Sequence, residues 1–123
     1  PEGARAMTLS LEAGKLVHLD TVNTVADGLA PPFTGEHNLV HVQNFVDEIV
    51  LVNDNEIINA MALILERIKV VAEPSAAATL AAVLSGKIRM KPSTKAICIL
   101  SGGNIDSERL ASLLGSQSLT PTS

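Results

Sequence analysis

Two runs, Ile49-Val50-Leu51-Val52 and Ile97-Cys98-Ile99-Leu100, are apolar at every position. A strand with one wet face alternates apolar and polar residues, so an unbroken apolar run predicts a strand covered on both faces, as in a parallel sheet. Helical patterns lie between the two runs. Asn53 and Glu56 stand at capping-box spacing, and Ile57, Met61, Ile64, Leu65 and Ile68 then recur on one helix face as far as Lys69. Val70-Val71-Ala72 is ambiguous, and Glu73-Pro74-Ser75 interrupts the pattern, with Ser75 the expected cap of the next helix. Ala76 to Leu84 is small or apolar around nearly its whole circumference, which predicts a helix buried on most sides and ended by Gly86.

Strands separated by helices give an α/β class with parallel pairing. The expected architecture is a partial three-layer sandwich, with a short, mostly parallel sheet flanked by helices. Two short runs make a poor sheet by themselves. Their neighbours are expected from chain outside this sequence or from a partner. The start, Pro1-Glu2-Gly3, reads as the interior of a longer protein. Further helices are expected from Ala4 to Ala13, stopped by Gly14, and from Glu36 to Val46. Leu16 to Leu19 reads as a short extended piece, and Thr21 to Gly35 as a long loop of the kind that often carries function. Asp106 is placed to cap a last helix over Ser107–Leu114, closed by Gly115. Residues 1–115 read as one structured unit and residues 116–123 as a disordered tail.

Composition excludes several functions. Aromatics are 2% of the chain, with no Trp or Tyr, so Ala, Val, Leu and Ile must build the core. The net charge is -4, without a basic run, which argues against nucleic acid as a partner. No apolar stretch approaches the roughly 20 residues of a membrane span. No leader-like segment opens the chain, so a cytoplasmic location without membrane attachment is expected. Cys98 lies inside an apolar run and reads as a small buried hydrophobe. His37 and His41 are spaced i, i+4 on a helix, but the order Glu36-His37 is not a His-Glu-x-x-His zinc motif, so they read as exposed side chains.

The most informative turn is Ser101-Gly102-Gly103-Asn104, between the second apolar run and Asp106. In open α/β folds, ligands bind at such carboxyl ends of strands. Gly102 and Gly103 permit close backbone approach, and Ser101 supplies a hydroxyl that can donate and accept. An ordinary strand-to-helix turn has the same appearance.

Several segments together carry a resemblance. Ile99-Leu100-Ser101-Gly102-Gly103-Asn104-Ile105-Asp106 resembles the carboxyl-terminal signature of serine/threonine dehydratases (ammonia-lyases) and serine racemases, which are pyridoxal-phosphate enzymes of fold type II. Thr24-Val25-Ala26-Asp27-Gly28 is similar to that family's Thr-apolar-Ala-Asp-Gly loop. Glu66-Arg67 leading to Val71-Ala72-Glu73-Pro74-Ser75 resembles its helix end and Glu-Pro turn, and Ala81 to Lys87 resembles the next helix of the family. Pro1-Glu2 resembles the strand end that opens this region.

The resemblance implies the carboxyl-terminal part of a large domain that binds pyridoxal 5'-phosphate and acts on a small hydroxy-amino acid by β-elimination. Ser101 matches the serine that faces the pyridine nitrogen, and Gly102, Gly103 and Asn104 match the turn beside the ring. Gly28 matches a cofactor-flanking loop. Glu73 matches an acidic residue near the cofactor, and it also reads as a helix-terminal carboxylate beside Ser75. The family's cofactor-anchoring lysine and glycine-rich phosphate loop lie upstream of the matched region. Lys15, Lys69, Lys87, Lys91 and Lys95 lack that context and read as solvated. No catalytic residue is therefore expected in this chain, which should be inactive alone. A divalent cation is also implied, with the backbone carbonyl at Ala4 as its matching ligand. The carboxylate expected before Pro1 is absent and Ala6 replaces an acidic residue, which argues against an intact metal site. The family commonly assembles, so the partners implied are the rest of the parent protein and a homo-oligomer. A serine racemase, or a non-catalytic binding module derived from the fold, fits the same residues.

Overall fold

The computed structural model describes residues 1–116 of the chain. A 3-10 turn at Glu2–Ala4 leads into α1 (Ala6–Ala13), and a second 3-10 turn at Asp27–Leu29 lies in the long loop before α2 (Glu36–Phe45). Then come α3 (Asp54–Ile68), α4 (Pro74–Leu84) and α5 (Ser107–Gly115).

The helix ends reflect local chemistry. Asn53 and Glu56 form a reciprocal capping box: the Glu56 N–H donates to Asn53 Oδ1 at 2.9 Å, and the Asn53 N–H donates to Glu56 Oε2 at 2.8 Å. Gly14 ends α1 in the left-handed conformation at φ 64°, where glycine carries no Cβ penalty. Lys69 adopts the same conformation at φ 62° to end α3, although it has a Cβ. Asp106 accepts the Arg109 N–H at 2.7 Å and caps α5. That helix runs through Gly115, with Ser116 as its C-cap. Ser75 is not the cap of α4. Glu73 is the N-cap and Pro74 fills the first helical position, where its fixed φ and missing N–H do no harm.

The core is the face between α3 and α4. Ile57, Ile58, Ala60, Met61 and Ile64 of α3 are buried against Ala76, Ala77 and Ala81 of α4, together with Ala26, Val52, Ala72 and Leu113. The alanines let the helix axes approach. Ile57 and Ile64 are fully buried, and each contributes about 2–3 kcal/mol by leaving water.

Two expectations are corrected. Among the described residues there is no β-strand: Ile49–Val52 and Ile97–Leu100 are extended but form no ladder, and Leu16–Leu19 is irregular. A strand exists only where a neighbour takes its backbone groups, and the second run stands open, with Ile97 91% and Ile99 71% exposed. Likewise α4 is buried on one side only. Thr79 and Leu84 are exposed, and Ala78, Ala82 and Val83 line a groove. Residues 117–123 of the expected tail lie outside the described residues.

Candidate functional site

The segment from Val25 to Leu29 is positioned by a contact that reaches across the fold. Asp54, in the first turn of α3, accepts the Thr24 hydroxyl at 2.6 Å and the Val25 N–H at 3.1 Å. Thr24 Oγ1 in turn accepts the Ala26 N–H at 3.2 Å, and Ala26 is fully buried. The Asp27–Leu29 turn then lies over the start of α4. A Cβ on Gly28 would stand 2.9 Å from Ser75 Oγ and 3.2 Å from Ser75 Cβ, so any larger residue would require Ser75 to shift.

The Ser101–Asn104 turn meets the same helix start. The Glu73 N–H donates to the Gly102 carbonyl at 3.1 Å. The Glu73 carboxylate occupies the space a Gly102 Cβ would need, and the Val71 carbonyl does the same at Gly103. Further up the segment, the Thr79 hydroxyl donates to the Ile99 carbonyl at 3.3 Å. The double glycine thus serves close packing against the link between α3 and α4.

Two cavities flank this junction, and Ser75 lines both. A polar cavity of about 440 Å³ is lined by Asp27, Gly28, Glu73, Asn104, Asp106 and Arg109, among others. The amino-terminal ends of α4 and α5 both border it. An apolar groove of about 750 Å³ runs along Ala78, Ala82 and Val83 of α4, between Val50 and Val52 and the Ala96–Ile99 segment. Exposed Ser101 sits on its wall. No lysine lines either cavity.

The structure therefore brings Gly28, Glu73, Gly102, Gly103 and Asn104 to one junction, with Ser101 at the neighbouring groove. Ala4 stands apart in the first 3-10 turn, lining neither cavity. No group of three metal-ligating side chains occurs among the described residues. The sequence alone did not mark Asp54, Ser75 or Arg109 as site residues. Asp54 left a signal there as an acid directly after a helix cap, and Ser75 left one within the Glu73-Pro74-Ser75 turn.

Lys87 is not a freely solvated side chain. Its Nζ donates to Glu56 Oε2 and the Leu51 carbonyl, each at 2.9 Å, and lies 3.5 Å from Glu2 Oε1. The hydrogen bond to Glu56 raises the Lys87 pKa above its ordinary value. The Asn53 N–H, and then Lys87, hold Glu56 below the usual carboxylate range. His41 Nδ1 lies 2.9 Å from the His37 carbonyl, one helical turn back, and both rings are exposed.

A glycine turn at the end of an extended apolar segment, beside helix amino termini, is how open α/β proteins bind small molecules. The chain belongs to the pyridoxal-phosphate-dependent enzymes, whose family model matches residues 1–102. It is 36% identical over 122 residues to an L-threo-3-hydroxyaspartate ammonia-lyase of Saccharomyces cerevisiae, covering 99% of this chain and 37% of that protein. It is 42% identical over 110 residues to a serine racemase of Oryza sativa, covering 86% of this chain and 32% of that protein. The processed form of threonine deaminase isoform 2 from Solanum lycopersicum superposes with a TM-score of 0.82 at 32% identity, over 97% of this chain and 35% of that one. The chain thus spans about a third of the length of the curated relatives it matches. No helix among the described residues is long and apolar enough to cross a membrane.

Proposed function

We propose that residues 1–115 are the carboxyl-terminal part of the large domain of a pyridoxal-phosphate-dependent threonine/serine dehydratase. The parent enzyme removes the β-hydroxyl of a small hydroxy-amino acid and releases a 2-keto acid and ammonia. The observation that carries this reading is the junction of the Ser101–Asn104 turn with the start of α4, through the Glu73–Gly102 hydrogen bond. It turns a family signature into one wall of a cleft.

The residues present fit that cofactor as a wall and not as an anchor. A neutral hydroxyl stands beside the apolar side of α4, suited to a flat ring, and the lining residues include no lysine to hold an aldehyde. When bound, the cofactor supplies an electron sink for loss of the substrate's α-proton. Ser101 would hold the pyridine edge of the ring, its Oγ offering a hydrogen bond to the ring nitrogen. Unlike a carboxylate, it does not hold a proton there, which moderates the sink and favours elimination. Gly102, Gly103 and Asn104 shape the turn beside the ring, and Gly28 and Glu73 border the polar side. The anchoring lysine and the phosphate loop belong to the remainder of the parent, which is this chain's first partner. A homo-oligomer is the expected assembly.

The test has two arms. The isolated chain with added pyridoxal phosphate should release no ammonia from serine or threonine. In the full-length parent, Ser101→Asp should lower turnover by about tenfold or more, a barrier change of about 1.4 kcal/mol, while Ser101→Thr retains most of it. Turnover by the isolated chain, or an unimpaired Ser101→Asp enzyme, refutes the assignment. The rice relative favours one second reading, a serine racemase. In that case the parent would form D-serine faster than it forms keto acid.

A further inference from the structure

We propose that the basic turn between α4 and the Ile97–Leu100 segment is a docking surface for an acidic segment of a partner protein. Charge is segregated along this chain. From Pro74 to Ile105 there is no Asp or Glu, while Lys87, Arg89, Lys91 and Lys95 fall close together. All 13 acidic residues lie outside that stretch, with the remaining Lys and Arg side chains. A chain of net charge -4 therefore carries one strongly cationic segment, able to steer an anionic partner toward it. The surface is independent of the proposed function, since it involves neither the cofactor nor the reaction.

The fold pins this stretch in two places. Lys87 is held by Glu56, Glu2 and the Leu51 carbonyl, which fixes the segment as it leaves α4. Lys91 and Thr94 then bond reciprocally across a turn. The Thr94 N–H donates to the Lys91 carbonyl at 2.9 Å, and the Lys91 N–H donates to Thr94 Oγ1 at 3.1 Å. Pro92 follows Lys91, at the turn position its fixed φ suits. Lys91 and Lys95 therefore stand at the base of one turn. Arg89, Lys91 and Lys95 are exposed. Among the described residues, ion pairs form only at Lys87, so these three cations have no carboxylate partner there. Glu48 lines the same groove as Arg89 without pairing to it. Exposed Met90, between Arg89 and Lys91, adds an adaptable apolar contact.

This arrangement fits carboxylates on a polypeptide. A turn that is already fixed leaves less backbone to order on binding. Single-stranded nucleic acid fits worse, because it needs aromatic side chains for stacking beside the cations. The two aromatics, Phe33 and Phe45, lie just before α2 and at its end. A membrane surface calls for a broad apolar face next to the charges, and the turn from Lys91 to Lys95 carries no large apolar side chain.

The experiment titrates the full-length parent into a labelled peptide of alternating Asp and Glu around a central Leu, read by fluorescence anisotropy. Lys91→Glu with Lys95→Glu should weaken binding by about tenfold or more, and raising salt from about 0.05 to about 0.5 M should weaken it similarly. The neutral pair Lys91→Gln with Lys95→Gln should give an intermediate loss. Lys15→Glu with Lys69→Glu changes the net charge equally at exposed lysines elsewhere, and should shift binding by less than about twofold. Circular dichroism checks that each variant keeps the fold. No binding, or equal losses in the two charge-reversed pairs, overturns the proposal. Tighter binding of single-stranded DNA or of phosphatidylserine vesicles than of the peptide also overturns it. So does salt-sensitive self-association, seen by sedimentation, that Lys91→Glu with Lys95→Glu abolishes, because a second copy would then own the surface.

Discussion

Asp54 is the residue on which the Gly28 side of the junction hangs, and breaking it should loosen a loop whose sequence is untouched. Its carboxylate accepts two hydrogen bonds, from Thr24 Oγ1 at 2.6 Å and the Val25 N–H at 3.1 Å. Bonds to a charged acceptor contribute about 1.5–3 kcal/mol each. Both donors are half-buried and regain part of that from water, so Asp54→Ala should destabilise the chain by about 2–3 kcal/mol. Thr24→Val removes the same hydroxyl and also the acceptor of the buried Ala26 N–H, for a loss of about 1–3 kcal/mol. The two substitutions share one bond, so the double variant should lose about 1 kcal/mol less than the sum of the singles. Urea unfolding followed by far-ultraviolet circular dichroism measures all four proteins. Exchange at the Ala26 amide should speed up in both single variants. A coupling energy below about 0.3 kcal/mol, or an Ala26 amide that exchanges as before in Asp54→Ala, would refute the anchor.

Two further outcomes are expected from the same junction and from the Lys87 cluster. Gly103→Ala should destabilise by about 2–3 kcal/mol, because the new Cβ meets the Val71 backbone carbonyl; Gly102→Ala meets only the Glu73 carboxylate, which can swing away, and should lose less. Equal losses in urea unfolding would contradict this. Glu56 has a lowered folded pKa, so its contribution is present above the ordinary value of about 4.3 and is lost as pH falls through the folded value. The stability difference between the native chain and Glu56→Gln should therefore shrink on acidification below about pH 4.3. Lys87 has a raised folded pKa, so the difference from Lys87→Met should stay level through neutral pH and decline only above about pH 10.4. Unfolding curves across pH test both signs.

The helices were legible because their signals are local. A cap and its helix lie within a turn of each other, so Asn53 with Glu56, Gly14 after α1 and Asp106 before α5 are visible in a short window. The apolar runs were legible as extended segments but not as a sheet, since a ladder belongs to two segments at once. The site was legible as a set of motifs in order. Its assembly was not: Asp54 reaches Thr24 across 30 positions, and Lys87 reaches Glu56 across 31. Neither pair leaves a periodic trace.

By itself, the sequence determined which stretches become helices, that the core is aliphatic, and which family the motifs resemble. These depend on covalent neighbours and on composition. The tertiary structure decided that Glu73, not Ser75, begins α4, that the Ser101–Asn104 glycines pack against the link before that helix, and that one face of α4 borders an open groove. Those outcomes rest on contacts between distant segments, where burial and hydrogen bonding are shared by residues that no local pattern connects.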